Sequence, residues 1–222
     1  MIDPNTGIHI DVYSDVICPW CYVGKRRLER ALMEWHGSVP VQVQWRPFQL
    51  NPTMPKNGMD RKVYLETKFG SLDAFKEMEE RLLEAGRAEQ IPFAFEKILR
   101  TPNTFLAHRL MWYARGQGKQ DAVVEELFRA YFVGGNDIGN IPTLAGVAEQ
   151  AGLEQREVEF FLASETGMAE VKTEEATGHR MGIRGVPYFV LNDLYAISGA
   201  QRPEAFLLAF QRIGADLAKN TT

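Results

Sequence analysis

Ile8, Ile10 and Val12 alternate with His9, Asp11 and Tyr13, a period of two that predicts a β-strand over Ile8 to Ile17. Leu28, Ala31, Leu32 and Trp35 then recur at helical spacing, and this helix should end near His36-Gly37. Val41, Val43 and Trp45 alternate with Gln42, Gln44 and Arg46, a second strand stopped at Pro47. The first fifty residues therefore read as a β-α-β unit. From Asn51 onward helical stripes take over. One runs through Leu72, Phe75, Met78 and Leu82, capped by Ser71 and closed by Gly86. A second follows Pro102-Asn103-Thr104 with Leu106, Leu110 and Tyr113, and a third carries Val123, Val124, Leu127, Phe128 and Tyr131. Shorter helices fall at about 143–151, 155–164 and 167–180. These stripes are packing surfaces, and the block has no repeat period.

Strands return after Gly185-Val186-Pro187: Tyr188 to Leu191, a turn at Asn192-Asp193, and Tyr195 to Ser198 form a hairpin. Pro203 opens a last helix with Phe206, Leu207, Phe210 and Ile213 inside. The expected class is α/β: residues 1–50 and 180–222 make one small domain, interrupted by an all-helical insertion at 51–179.

Hydrophobic residues at 45% and charged residues at 24% of 222 positions suit a sizeable core. A net charge of -4 and the lack of a basic stripe speak against a nucleic-acid partner. Lys25-Arg26-Arg27 is the longest basic run and reads as a solvated helix face. No apolar run approaches membrane length, and Met1 to Asn5 lacks the pattern of a secretory signal. The expected location is the cytoplasm, where structural disulfides are rare and a close cysteine pair is catalytic or metal-binding.

Cys18 and Cys21 are the only cysteines, and the Cys-Pro-Trp-Cys cluster sits at the strand-to-helix turn. A zinc site needs further ligands, but His9, His36, His108 and His179 are scattered, so no metal is expected. His108 alone reads as a packed or solvated helix residue. A cysteine at a helix N-terminus meets unpaired N–H groups and the positive end of the macrodipole, both favouring thiolate, the nucleophilic form. One turn later the second sulfur can close a disulfide. The residues thus assign attack to Cys18, at an exposed turn, and resolution to the more buried Cys21. Pro19 stiffens the turn, and Trp20 lies over the site as an apolar lid or joins a core or an interface. The helix end contributes at most about 2 kcal/mol, and Trp20 adds no positive charge, which predicts a couple of intermediate poise.

Cys-Pro-Trp-Cys between strand and helix, with Gly185-Val186-Pro187 before a hairpin, resembles the thioredoxin fold (β-α-β … β-β-α), and the helical insertion resembles its DsbA branch. Trp45 to Pro52, Asn103 to His108 with Arg109, and Ser198-Gly199-Ala200-Gln201 narrow the likeness to FrnE-like dithiol oxidoreductases. The resemblance implies that Cys18 and Cys21 are the active pair and that Pro187 is a cis-proline. It also implies that the Val186 backbone pairs with an extended substrate segment, with Pro19 and Trp20 lining the same surface. The expected activity is thiol–disulfide exchange on a protein or small-molecule disulfide or dithiol. No cofactor is implied, with glutathione a possible co-substrate and a homodimer a possible assembly. Trp20, rather than histidine, and the missing export signal depart from the exported members. Two rivals stand beside this reading. Kappa-class glutathione transferases and 2-hydroxychromene-2-carboxylate isomerases share the insertion but typically place serine where Cys18 stands, and a redox-independent holding chaperone would not need both sulfurs.

Overall fold

The computed structural model describes residues 7–220, with the backbone alone at Leu72, Ala74 and Asn220. Met1 to Asn5, where the absence of a secretory signal was read, lies outside the described residues, as does the Leu72 side chain of the first insertion stripe.

β1 (Ile8–Ser14), α1 (Pro19–Glu34) and β2 (Val41–Pro47) form the expected β-α-β unit. The two strands are parallel, with Val12 opposite Trp45, so the chain needs a helical crossover between them. After the insertion, β5 (Tyr188–Leu191) runs antiparallel to β1 and β6 (Tyr195–Ser198) antiparallel to β5, giving the sheet order β2-β1-β5-β6. α9 (Pro203–Asn220) closes the unit by laying Phe206, Phe210 and Ile213 into the core beside α1. This is a thioredoxin-like core.

Ile8, Ile10 and Val12 are fully buried, as the alternation predicts. Tyr13, on the polar side of that alternation, is buried as well. It packs with Phe48, Ile183 and Val190, and its ring stands 2.7 Å from where a side chain on Gly178 would begin. The sheet is therefore covered on both faces, and the missing side chain at Gly178 lets α8 approach that closely.

Between β2 and β5 come β3 (Met59–Asp60), α2 (Arg61–Phe69), α3 (Leu72–Ala88), a 3-10 turn (Phe95–Lys97) and β4 (Arg100–Thr101). α4 (Phe105–Gly116), α5 (Gln120–Phe132), α6 (Ile141–Gln150), α7 (Gln155–Ala163) and α8 (Met168–Arg180) complete an inserted helical bundle. Two features have no counterpart in the periodicity. α2 buries only Tyr64 and Leu65 and so carries no readable stripe, although Asp60 caps its start and Gly70, at φ 82°, its end. The β3–β4 ladder is two residues long, too short for alternation to register.

Lys25-Arg26-Arg27 is not a solvated face. Lys25 is 2% exposed, and its ammonium pairs with Glu29, Asp121 and Glu125. Arg26 pairs with Glu29 and Glu125, while Arg27 binds Glu89 at 2.8 Å and the Ala200 carbonyl at 2.5 Å. Lys25 and Arg26 face α5, whose Asp121 and Glu125 take up, together with Glu29 of α1, the charge a lone helix would give to water, and Arg27 reaches Glu89 just beyond α3. The insertion also covers the free edge of the sheet. The Gln120 amide accepts from the Trp45 N–H and donates to its carbonyl, both at 3.0 Å, as a neighbouring strand would.

Candidate active site

β1 ends at Ser14, and the chain turns through Asp15 to Ile17 before Pro19 starts α1 at its first position, where a missing N–H costs nothing. Cys18 is the N-cap: its backbone is extended, its N–H donates to the Asp15 carbonyl at 3.0 Å, and its carbonyl accepts from Cys21 at 2.9 Å. The first turn of α1 carries no acidic residue. Both thiols are free.

The expectation of an exposed outer cysteine is corrected. Cys18 is only 5% exposed and Cys21 1%, because the loop before β5 folds over the turn. The Cys18 thiol donates to the Val186 carbonyl at 3.5 Å. The Val186–Pro187 peptide bond is cis, and Pro187 is buried against α1. Gly24 permits this contact, since a Cβ there would lie 3.0 Å from Pro187 Cγ. The structure thus brings Cys18, Cys21, Val186 and Pro187 together. Pro19 and Trp20 are half-buried on the same turn, and Trp20 packs against the main core.

Burial pushes the Cys21 thiol well above its ordinary range, and the neighbouring Cys18 thiol adds to the rise. The Ser14 hydroxyl and the Asp15 N–H, which face its sulfur, pull the other way. The two thiols are therefore in unequal surroundings.

A polar floor beneath the dithiol was not legible as site residues. Asp15 and His108 are fully buried, with His108 Nε2 3.5 Å from Asp15 Oδ1, while Asp15 Oδ2 accepts from the Leu50 N–H at 2.8 Å. His108 comes from α4 and is a packed helix residue, as read; what the sequence did not show is its neighbour Asp15. The available signal was an acidic residue at the exit of an apolar strand, three residues before Cys18. Arg109, beside it, is structural: its guanidinium donates to the carbonyls of Phe161, Leu162, Ser164 and Thr166 around the end of α7. Among the described residues no cluster of histidine, cysteine and carboxylates could hold a metal ion, and no helix is long and apolar enough to cross a membrane.

A thioredoxin-like sheet carrying two thiols at a helix N-terminus, faced by a proline loop and enclosed by a helical insertion, defines a thiol-based oxidoreductase. The chain belongs to the family of the DSBA-like thioredoxin domain, whose model matches residues 9–211. It is 29% identical over 202 residues to the uncharacterized protein YwbO of Bacillus subtilis, covering 90% of this chain and 94% of that one. It also resembles the crystal structure of a probable DsbA oxidoreductase from Streptomyces coelicolor, at 31% identity and a TM-score of 0.86, covering 93% of this chain and 89% of that one. A 2-hydroxychromene-2-carboxylate isomerase shares the fold at 16% identity and a TM-score of 0.72, with 96% of this chain and 100% of that one covered. The protein is a redox-active enzyme of the DsbA superfamily.

Proposed function

We propose that the Cys18–Cys21 dithiol exchanges with disulfides of protein or small-molecule substrates, in the manner of a FrnE-like oxidoreductase working in the cytoplasm. The Cys18 thiolate attacks a substrate disulfide, forming a mixed disulfide and expelling one substrate thiolate, which takes a proton. Cys21 then loses its proton and attacks the Cys18 sulfur, expelling the second substrate thiolate. The substrate gains two electrons and the pair is oxidised to a disulfide; run backwards, the same steps make a disulfide in a dithiol substrate.

The observation that carries this reading is the asymmetry of the pair. Cys18 caps the helix beside the Val186 carbonyl, while Cys21 is buried one turn further on with its proton held tightly. The Val186 backbone is the docking edge for an extended substrate, with Pro19, Trp20 and Pro187 flanking it. Oxidised glutathione fits as a small disulfide substrate, since its attack by Cys18 needs no further group. The sulfur at position 18 favours redox exchange over the glutathione-dependent isomerase reading.

The test is insulin reduction driven by dithiothreitol. Cys18→Ser should abolish it, and Cys21→Ala should trap mixed disulfides at Cys18. Equal activity of either variant with wild type overturns the assignment, as does isomerisation of a hydroxychromene carboxylate by Cys18→Ser with glutathione.

A further inference from the structure

The segment that leaves β2 and the first turns of α4 and α8 line a cavity of about 580 Å³. That volume suits a small organic molecule, since ligand pockets span roughly 300–1,000 Å³. Neither cysteine lines it, nor do Trp20, Val186 and Pro187. The exchange chemistry makes no use of it.

Local structure holds the cavity open. Asn103, just before α4, donates to the Met54 carbonyl at 2.6 Å and accepts from the Phe105 N–H at 3.0 Å, which ties the outgoing segment to the start of the helix. Ala107, His108 and Leu110 of α4 turn into the core, while Phe105 and Leu106 stay half-buried on the cavity wall, joined by Met168 from the start of α8. Gly139 closes a further side, where a Cβ would lie 2.9 Å from Pro102 Cβ.

The polar groups on this wall are unequally used. Gln49 is 6% exposed, and its amide nitrogen donates to Asn103 Oδ1 and Thr104 Oγ1, both at 3.4 Å. Among the described residues nothing donates to its Oε1, and a buried oxygen left so is rare. Lys56 and Lys172 are exposed, and neither ammonium has a carboxylate partner among the described residues. The Lys172 ammonium stands 5.8 Å from the centre of the Phe105 ring, so charge and apolar wall adjoin. The carboxylate of the lining, Glu175, is 9% exposed and engaged by the Gln49 N–H at 2.8 Å. Arg109 spends its guanidinium on the carbonyls around the end of α7.

From this arrangement we infer that the cavity binds a small organic carboxylate with an apolar body and an adjoining N–H or O–H. The body lies on Phe105, Leu106 and Met168, the carboxylate takes up the charge of Lys56 and Lys172, and the donor satisfies Gln49 Oε1. A cationic ligand would meet two ammonium groups, and a wholly apolar one would leave Gln49 unsatisfied. Burial of the body supplies most of the affinity, and the exposed lysines select the sign of the charge.

The fluorescent acid N-(2-naphthoyl)glycine carries all three groups and serves as the probe. It should bind saturably with a Kd below about 1 mM, the scale for a ligand of its size. Its uncharged glycinamide should bind at least about fivefold more weakly. Lys56→Gln and Lys172→Gln, at exposed positions, should each weaken the acid about two- to fivefold and leave the glycinamide unchanged. Leu106→Trp should fill the cavity and abolish binding of both; should it fail to fold, the lysine variants and the glycinamide decide. Cys18→Ser should bind the acid as wild type does. No saturation by about 5 mM, equal binding of acid and glycinamide, lysine variants indistinguishable from wild type, or loss of binding in Cys18→Ser overturns the inference.

Discussion

The Cys18 sulfhydryl reaches the Val186 carbonyl across 3.5 Å, joining residues 168 positions apart. The outer thiol is thus seated against the backbone edge that we propose as the docking edge of an extended substrate. In the proposed exchange, nucleophile and docking edge would form one surface, so that a substrate strand engaging Val186 would bring its sulfur to Cys18.

The unequal surroundings of the pair set its alkylation pattern. With iodoacetamide at pH 7, Cys18 should be modified at least about tenfold faster than Cys21, because the reactive form is the thiolate and burial holds Cys21 protonated. Peptide mass spectrometry after timed quenching measures both. Equal, slow labelling of the two sulfurs contradicts the assignment.

Lys25 ties α1 to the insertion and should be costly to remove. Breaking a buried ion pair costs about 3–5 kcal/mol. Its partners Asp121 and Glu29 are 67% and 33% exposed, so Lys25→Ala should lose about 3 kcal/mol, at the low end of that range. Lys25→Met, which keeps the packing of the stem, should lose less. Urea denaturation midpoints at constant m-value report the difference.

Glu125 makes the same joint sensitive to acid. Burial works to raise its pKa, but the Arg26 hydrogen bond and the charges of Lys25 and Arg26 outweigh this and hold the carboxyl below the usual glutamate range. The folded state thus binds this proton less readily than the unfolded chain. The stabilisation is complete above the ordinary glutamate value of 4.5 and fades as pH falls through the depressed folded value. Glu125→Gln should lower stability at neutral pH and flatten its decline in that acid window, measured by thermal unfolding between pH 3 and 7. An unchanged acid limb contradicts the account.

Gly24 sets the distance between α1 and the proline loop. A Cβ there would stand 3.0 Å from Pro187 Cγ and 3.3 Å from Phe189 Cζ. Gly24→Val should therefore displace the loop from Cys18 and slow insulin reduction, with a stability loss of about 1–3 kcal/mol typical of overpacking. Gly24→Ala should show the same change in smaller degree. Full activity in Gly24→Val would mean that the loop position is not coupled to turnover.

The elements most legible in the chain were those whose burial is one-sided and periodic. α4, α5 and α9 bury regular stripes, and β5 and β6 are flagged by the turn at Asn192-Asp193. α2 escaped because only Tyr64 and Leu65 are buried on it, and the β3–β4 ladder because two residues carry no period. Lys25 was misread for a different reason. Its spacing on α1 is that of an ordinary polar position, and only the arrival of Asp121 and Glu125, nearly a hundred residues later, turns that position inward.

Local order along the chain was enough to determine the dithiol: two sulfurs one helical turn apart, a proline at the first helical position, and a strand delivering them. Those features depend on neighbours within four residues, and backbone geometry translates such spacing directly into position. The seat of Cys18 under Val186, the inward turn of Lys25 and the meeting of Asp15 with His108 each join segments dozens to well over a hundred residues apart. Only tertiary packing brings those groups together, the return of the 180–222 segment onto α1 in the first case and the docking of the insertion onto the core in the other two, because distance in space between remote segments follows from packing and not from sequence separation.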